Sequence, residues 1–177
     1  GNATKWNVGA FPISYTTDGG TLGALSTIDA NTLTTEAFAA WSGVTTATVT
    51  ATASGGILAD GDVNTLGEFN ALGCVGVNPI VYDTDGTLTD ALLGAGASNN
   101  VLGFAGPCAI SPHPSGSVPG NSDTILGGRA VMSGKLITGP PVSALTRSRS
   151  KGVFIHELGH FLGLGHSQVN LNCLTDL

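Results

Sequence analysis

His156-Glu157-Leu158-Gly159-His160-Phe161-Leu162-Gly163-Leu164-Gly165-His166, followed by Ser167, is the stretch on which the reading of this chain turns. Its spacing is H-E-x-x-H-x-x-G-x-x-H. The chain has 4 His, and three of them fall here. Residues four apart on a helix lie about 40° apart around the axis, one turn above the other. His156 and His160 therefore offer their imidazoles to one ion from a single face. Glu157 is rotated by about 100°, which sets its carboxylate beside such an ion rather than on it. On a continued helix His166 would point away. Gly163 supplies the break, because glycine takes the left-handed conformation that ends a helix at little cost. Gly165 adds freedom to the return that brings His166 back.

Three neutral imidazoles leave one corner of a tetrahedron open, the arrangement of a catalytic zinc site rather than a closed structural one. Zinc in such a site lowers the pKa of a bound water to about 7. Glu157 is then placed to take the water proton and later to deliver it to a leaving amine. The metal would also polarise a scissile carbonyl and stabilise the oxyanion.

The rest of the composition narrows the setting. A chain of 177 residues suits one domain with a real core. Charged residues are only 10%, and Gly reaches 27, which fits a β-rich, turn-rich extracellular protein. The net charge of -6 argues against nucleic acid or an anionic membrane surface as partner. No apolar run approaches the length of a membrane span. The chain begins at Gly1 with no signal-peptide pattern, so a processed or excised segment is expected. Cys74, Cys108 and Cys173 make an odd set. Cys74 with Cys108 is one candidate disulfide, leaving Cys173 for a partner beyond Leu177; three buried thiols are the alternative.

In chain order, Phe11, Ile13 and Tyr15 alternate with period two, so residues 5–16 read as a strand ended by Asp18-Gly19-Gly20. Residues 34–42 read as a helix capped by Thr34 or Thr35, with Phe38 and Trp41 on one face and Gly43 closing it. Trp41 reads as a core anchor. The Thr-rich run 44–52 reads as a strand, with turns at 54–56 and 60–62 and a short strand or loop at 57–59. Residues 79–83 read as a buried strand. Residues 91–104 suggest a helical turn followed by a strand, and 105–128 a long Gly/Pro/Ser loop carrying a solvated His113. A strand is expected over 129–137, with a turn at Ser133-Gly134. After the break at 139–141 a helix starts between Ser143 and Arg149 and runs to Leu162. Its Val153, Phe154, Leu158, Phe161 and Leu162 face the sheet, while Arg147, Arg149 and Lys151 read as a solvated face.

Asp83, Asp85 and Asp90 stand at the first, third and eighth positions of an Asp-Gly loop. They are candidate ligands for calcium, a hard cation that gathers carboxylate oxygens. The pattern is not an EF-hand, since Gly86 falls at the fourth position and Gly94 at the twelfth. The competing reading is a hydrogen-bonded Asx turn.

The zinc stretch resembles the metzincin superfamily of zinc endopeptidases, and Ser167 after the third His resembles the matrixin branch in particular. Pro12-Ile13-Ser14-Tyr15, Phe38-Ala39-Ala40-Trp41 and Leu88-Thr89-Asp90-Ala91 follow in the matrixin order, so the likeness covers most of the chain. The resemblance implies an α+β fold: a twisted mixed sheet, mostly parallel with an antiparallel edge strand, a backing helix, and the zinc helix flooring a cleft. It also implies a protein or peptide substrate extended along that edge strand by backbone pairing, the strand being expected between Leu88 and Phe104. The chain departs from the pattern in three ways. Asp90 stands where animal matrixins place a His for a second, structural zinc. No inhibitory free-Cys switch is visible. Met132, the 1 Met present, lies upstream of the motif, whereas metzincins place a Met-containing turn downstream. With eleven residues after His166, a single matrixin-like domain (1–177) lacking its C-terminal part is expected.

Two functions follow as expectations. The first is a secreted, monomeric zinc endopeptidase with His156, His160 and His166 on the metal and Glu157 as base. The second is a zinc-binding but inactive surface or adhesion module. An intact Glu157 speaks for the first, because a structural zinc has no need of it.

Overall fold

The structure is a computed structural model that describes residues 4–58, 61–112, 123–137 and 144–166. In chain order the strands are β1 (Thr4–Trp6), β2 (Ile13–Thr17), β3 (Ala51–Ile57), β4 (Pro79–Asp83), β5 (Gly103–Ser111) and β6 (Asp123–Ser133). The helices are α1 (Thr27–Ser42), α2 (Leu66–Ala71), α3 (Thr87–Leu93) and α4 (Ala144–Phe161). The fold is α+β with one mixed sheet.

β6 is the axis of that sheet. One side of it pairs antiparallel with β5, from Gly103 opposite Met132 to Ser111 opposite Thr124. Its other side is shared by two parallel strands in tandem, β1 against 123–125 and β4 against 130–133. Beyond β4 lie β2 and then β3, all parallel. The sheet is thus mostly parallel with β5 as its antiparallel edge. Tyr82 and Ile80 of β4 face one core with Phe38, Phe154, Leu158 and Phe161. Val81 faces a second core with Val63, Phe69, Leu88 and Val131. A strand buried on both faces is what a continuous apolar run in a parallel sheet requires. α1 and α4 cover the first face and pack on one another.

Several sequence expectations are corrected. The strand expected over 5–16 is two strands, interrupted by a 3-10 turn at Val8–Ala10. The backing helix starts seven residues earlier than 34, at Thr27, and its cap is Ser26, whose hydroxyl accepts from the Asp29 N–H. Thr32, Thr34 and Thr35 lie inside it and donate to the carbonyls of Ile28, Ala30 and Asn31 one turn back, which satisfies hydroxyls that would otherwise compete with the helix. The strand read at 44–52 begins only at Ala51. α2 went unread, although Thr65 and Glu68 form a full capping box around its first turn. The largest difference lies at 105–128. Apart from Pro112, its described residues belong to β5 and β6, so the antiparallel edge strand is 103–111 and not a segment between Leu88 and Phe104. Pro107 disguised it, yet proline is tolerated in an edge strand. The strand read at 129–137 is the second half of β6, which ends at Ser133. Cys74 and Cys108 form a disulfide, with Cα atoms 6.0 Å apart. His113, Ser167 and Cys173 lie outside the described residues.

Candidate metal centre

α4 is seated against the sheet and α1 by aromatic side chains at its C-terminal half. Phe161 is fully buried, stacks on Trp6 at 5.8 Å and meets Phe38 edge-on at 5.5 Å. The Trp6 indole N–H donates to the Phe161 carbonyl at 3.3 Å. Trp41 does more than anchor a core. Its indole N–H donates to the Ile155 carbonyl at 2.8 Å, and its ring lies where a side chain on Gly159 would fall, 2.8 Å from that Cβ position. α1 can therefore approach the His156–His160 turn closely because residue 159 is glycine.

The helix ends as the sequence implied. Gly163 has φ +96°, the Leu164 N–H bonds the Gly159 carbonyl at 3.0 Å, and the Gly163 N–H bonds the His160 carbonyl at 2.9 Å. This is the Schellman pattern with glycine at the left-handed position. The reversal returns His166 to the other two imidazoles. The Nε2 atoms of His156, His160 and His166 stand 3.2, 3.1 and 3.0 Å apart. The ring centroids are farther apart, at 4.4 to 5.2 Å, so the rings point their nitrogens inward. Among the described residues this is the set of His, Cys, Asp and Glu side chains whose ligand atoms all lie within 4.8 Å of one another.

The donor set fits a metal ion. Zinc bonds imidazole at about 2.0–2.1 Å in a tetrahedral arrangement, which separates neighbouring nitrogens by about 3.3 Å. The observed triangle is within a few tenths of that. His160 Nδ1 lies 2.6 Å from the Leu164 carbonyl oxygen, and a carbonyl only accepts, so Nδ1 carries the proton and Nε2 presents its lone pair. Each neutral Nε2 has either one proton or one lone pair, both directed along one axis. Three such axes converging on one point suit a shared cation, whereas hydrogen bonds cannot satisfy all three contacts.

Glu157 is buried at 9% exposure beside this triangle. Burial pushes its carboxyl above the ordinary range, and the three imidazoles oppose that shift. β5 closes over it. A Cβ on Gly103 would sit 3.0 Å from Glu157 Cγ and 3.1 Å from the Val131 carbonyl oxygen, a crowded position where Glu157 would have to give way by a few tenths of an ångström. The cleft between β5 and α4 has a volume of about 870 Å³, and Leu102, Gly103, Val153, His156, Glu157 and His166 line it. Arg149, expected on a solvated face, also lines it. Arg147 and Lys151 instead pair with Glu36 of α1, both at 3.1 Å.

The candidate calcium ligands are not brought together. Asp83 is buried and accepts from the N–H groups of Gly86, Leu88 and Thr89 and from the Thr89 hydroxyl. Asp85 accepts from the Thr87 N–H and Asp90 from the Ser98 N–H. These are the hydrogen bonds of an Asx turn that starts α3, the reading set beside calcium. Met132 is buried on β6, within the first core.

Gly103, the Leu164 carbonyl and the Trp41 indole were missed as contributors to the site. The roles of Gly103 and Trp41 depend on β5 and α1 meeting α4, which no local pattern announces, whereas the Leu164 carbonyl lies one turn after His160 in the reversal that ends the helix. Comparison of the chain with family models, with curated proteins and with solved structures finds no match.

Proposed function

We propose that this chain is a zinc-dependent endopeptidase domain of matrixin type, acting outside the cell on extended protein or peptide substrates. The observation that carries the reading is the triangle of Nε2 atoms 3.0 to 3.2 Å on a side with a buried carboxylate next to it in sequence and in space. His156, His160 and His166 would hold the ion. A zinc ion so held supplies Lewis acidity to a carbonyl and to a water in the cleft.

Everything else falls to the chain. Glu157 takes a proton from the attacking water and passes it to the departing amine. Among the described residues β5 pairs only with β6, and its other edge is where an extended peptide adds as a further strand, positioning the scissile bond by backbone hydrogen bonds. Gly103 keeps that strand close to Glu157 without displacing it. The architecture supports the matrixin reading: a mostly parallel sheet, an antiparallel edge strand along the cleft, and a backing helix. The Cys74–Cys108 disulfide supports an oxidising, extracellular setting. No helix among the described residues is long and apolar enough to cross a membrane.

The test compares the wild-type protein, zinc-loaded, with Glu157→Ala on a mixed peptide library read by mass spectrometry. Hydrolysis should fall by about 10²–10⁴-fold while bound zinc stays at one per chain. Undiminished hydrolysis would reject Glu157 as the base. Zinc binding with no hydrolysis by the wild type would favour the inactive surface module.

A further inference from the structure

β5 carries a gap in its side-chain row on the sheet face opposite the helix α4. Phe104 and Val131 face each other there and join the second core, so Gly106 and Arg129, the next pair but one, share that face. Gly106 has no side chain, and a Cβ built on it would meet nothing within 4 Å. The result is a cavity of about 280 Å³ beside the edge, lined by Phe104, Gly106, Pro107, Cys108 and Arg129.

Arg129 is an unusual wall for it. The chain has Lys+Arg 6 in all, and this one sits half-buried with its guanidinium carbon 4.5 Å over the Phe69 ring. One N–H group reaches the Leu72 carbonyl at 3.2 Å. Its Nε is buried and has no partner. No acidic side chain pairs with it among the described residues, and burial alone acts on its pKa, lowering it. A guanidinium has five donors in a planar fork suited to a carboxylate, and most of these are unused.

We infer that Gly106 and Arg129 form a specificity socket for an acidic side chain of the bound peptide. The inference rests on the peptidase reading, since it takes the free edge of β5 as the substrate's pairing strand. A strand added there lies about 4.8 Å from β5 and about 10 Å from β6, and alternate side chains point to the socket face. The side chain beside Gly106 meets no β5 side chain and enters the gap, where an extended glutamate spans the distance to the arginine. Gly106 lies three residues, about 10 Å, along β5 from Gly103, so the selected residue stands a few positions from the cut. Phe104 and Pro107 wall the gap with apolar surface, which strengthens a charge-assisted bond inside it.

The experiment uses pairs of peptides that differ only by Glu or Gln at one position. Binding to the zinc-loaded Glu157→Ala protein is followed by fluorescence anisotropy at low salt, and hydrolysis by the wild type is read in parallel. One fixed position should show about tenfold tighter binding with Glu than with Gln, and added salt should weaken that preference. Arg129→Gln should abolish the difference. Gly106→Val should do the same by filling the gap, at a strand position with open space and no positive φ. Arg129→Lys should keep only part of it. Acid-selective binding without hydrolysis would uphold the socket and overturn the peptidase reading. Hydrolysis with no acid preference, or a preference that survives both Arg129→Gln and Gly106→Val, would overturn the socket. Peptides neither bound nor cut would overturn both.

Discussion

Replacing Gly163 by alanine should damage two properties in proportion, and the structure gives the sizes. The residue has φ +96°, which costs an L-amino acid about 1–2 kcal/mol. The new Cβ would also lie 2.7 Å from Ile125 Cδ1 and 3.2 Å from the Thr4 carbonyl oxygen. Carbon atoms prefer about 3.5–4.0 Å, so Ile125 must retreat by about an ångström within a packed core, at about 1–3 kcal/mol. The metal-free protein should therefore lose about 2–5 kcal/mol by urea denaturation. If the helix end shifts to relieve the strain, the His160–Leu164 contact and the return of His166 move with it, and zinc affinity measured by chelator competition should fall as well. Gly165→Ala is the internal control. Its Cβ would meet nothing within 4 Å and its φ is not positive, so both measurements should change little. A Gly163→Ala protein as stable and as tight for zinc as the wild type, or a Gly165→Ala protein more damaged than Gly163→Ala, would contradict this expectation.

Three more outcomes are expected. Replacing both Cys74 and Cys108 by serine opens a closed loop with sequence separation 34, worth about 3.8 kcal/mol on the chain-entropy scale, and denaturation midpoints should fall accordingly. Arg147 and then Lys151 hold the Glu36 carboxyl below its ordinary value of 4.5, so the ion pairs contribute above that pH and the contribution is lost as pH falls through the lowered folded-state value. Glu36→Gln should thus differ from wild type in melting temperature at pH 7, converge with it in acid, and converge again at high salt because the pairs are exposed. Zinc at about 100 times its dissociation constant should stabilise the fold by about 2.7 kcal/mol, and His166→Ala should remove most of that shift while leaving the metal-free protein folded.

The convergence of His156, His160 and His166 was legible because its geometry is mostly local. His156 and His160 are fixed by helix periodicity, and Gly163 with His166 by one turn chemistry, so a few residues of sequence carry the arrangement. The buried strand 79–83 was legible for a similar reason: an uninterrupted apolar run leaves few alternatives. The edge strand was not. Gly106 and Pro107 read as loop residues, and Gly103 only as the end of the strand read within 91–104, because what fixes them lies elsewhere in the fold: Glu157 near Gly103, open space at Gly106 and a sheet edge at Pro107. Likewise the first turns of α1 are poor in strong helix formers, and what holds them is the Ser26 cap and the burial of Ala30 and Leu33. Asp83 is ambiguous by sequence alone, since a buried carboxylate that collects three N–H groups has the same residue pattern as a cation loop.

The Trp6 indole bonded to the Phe161 carbonyl spans 155 residues of sequence, and the Trp41 bond to Ile155 spans 114. Contacts of such separation close late, because the chain entropy of bringing distant segments together must be met first. The two helical imidazoles can meet a metal as soon as their turn forms, but the third depends on a helix end clamped by β1. Under the proposed zinc reading, capture of an ion by all three rings would report completed folding, because it would follow only once β1 and α4 have met.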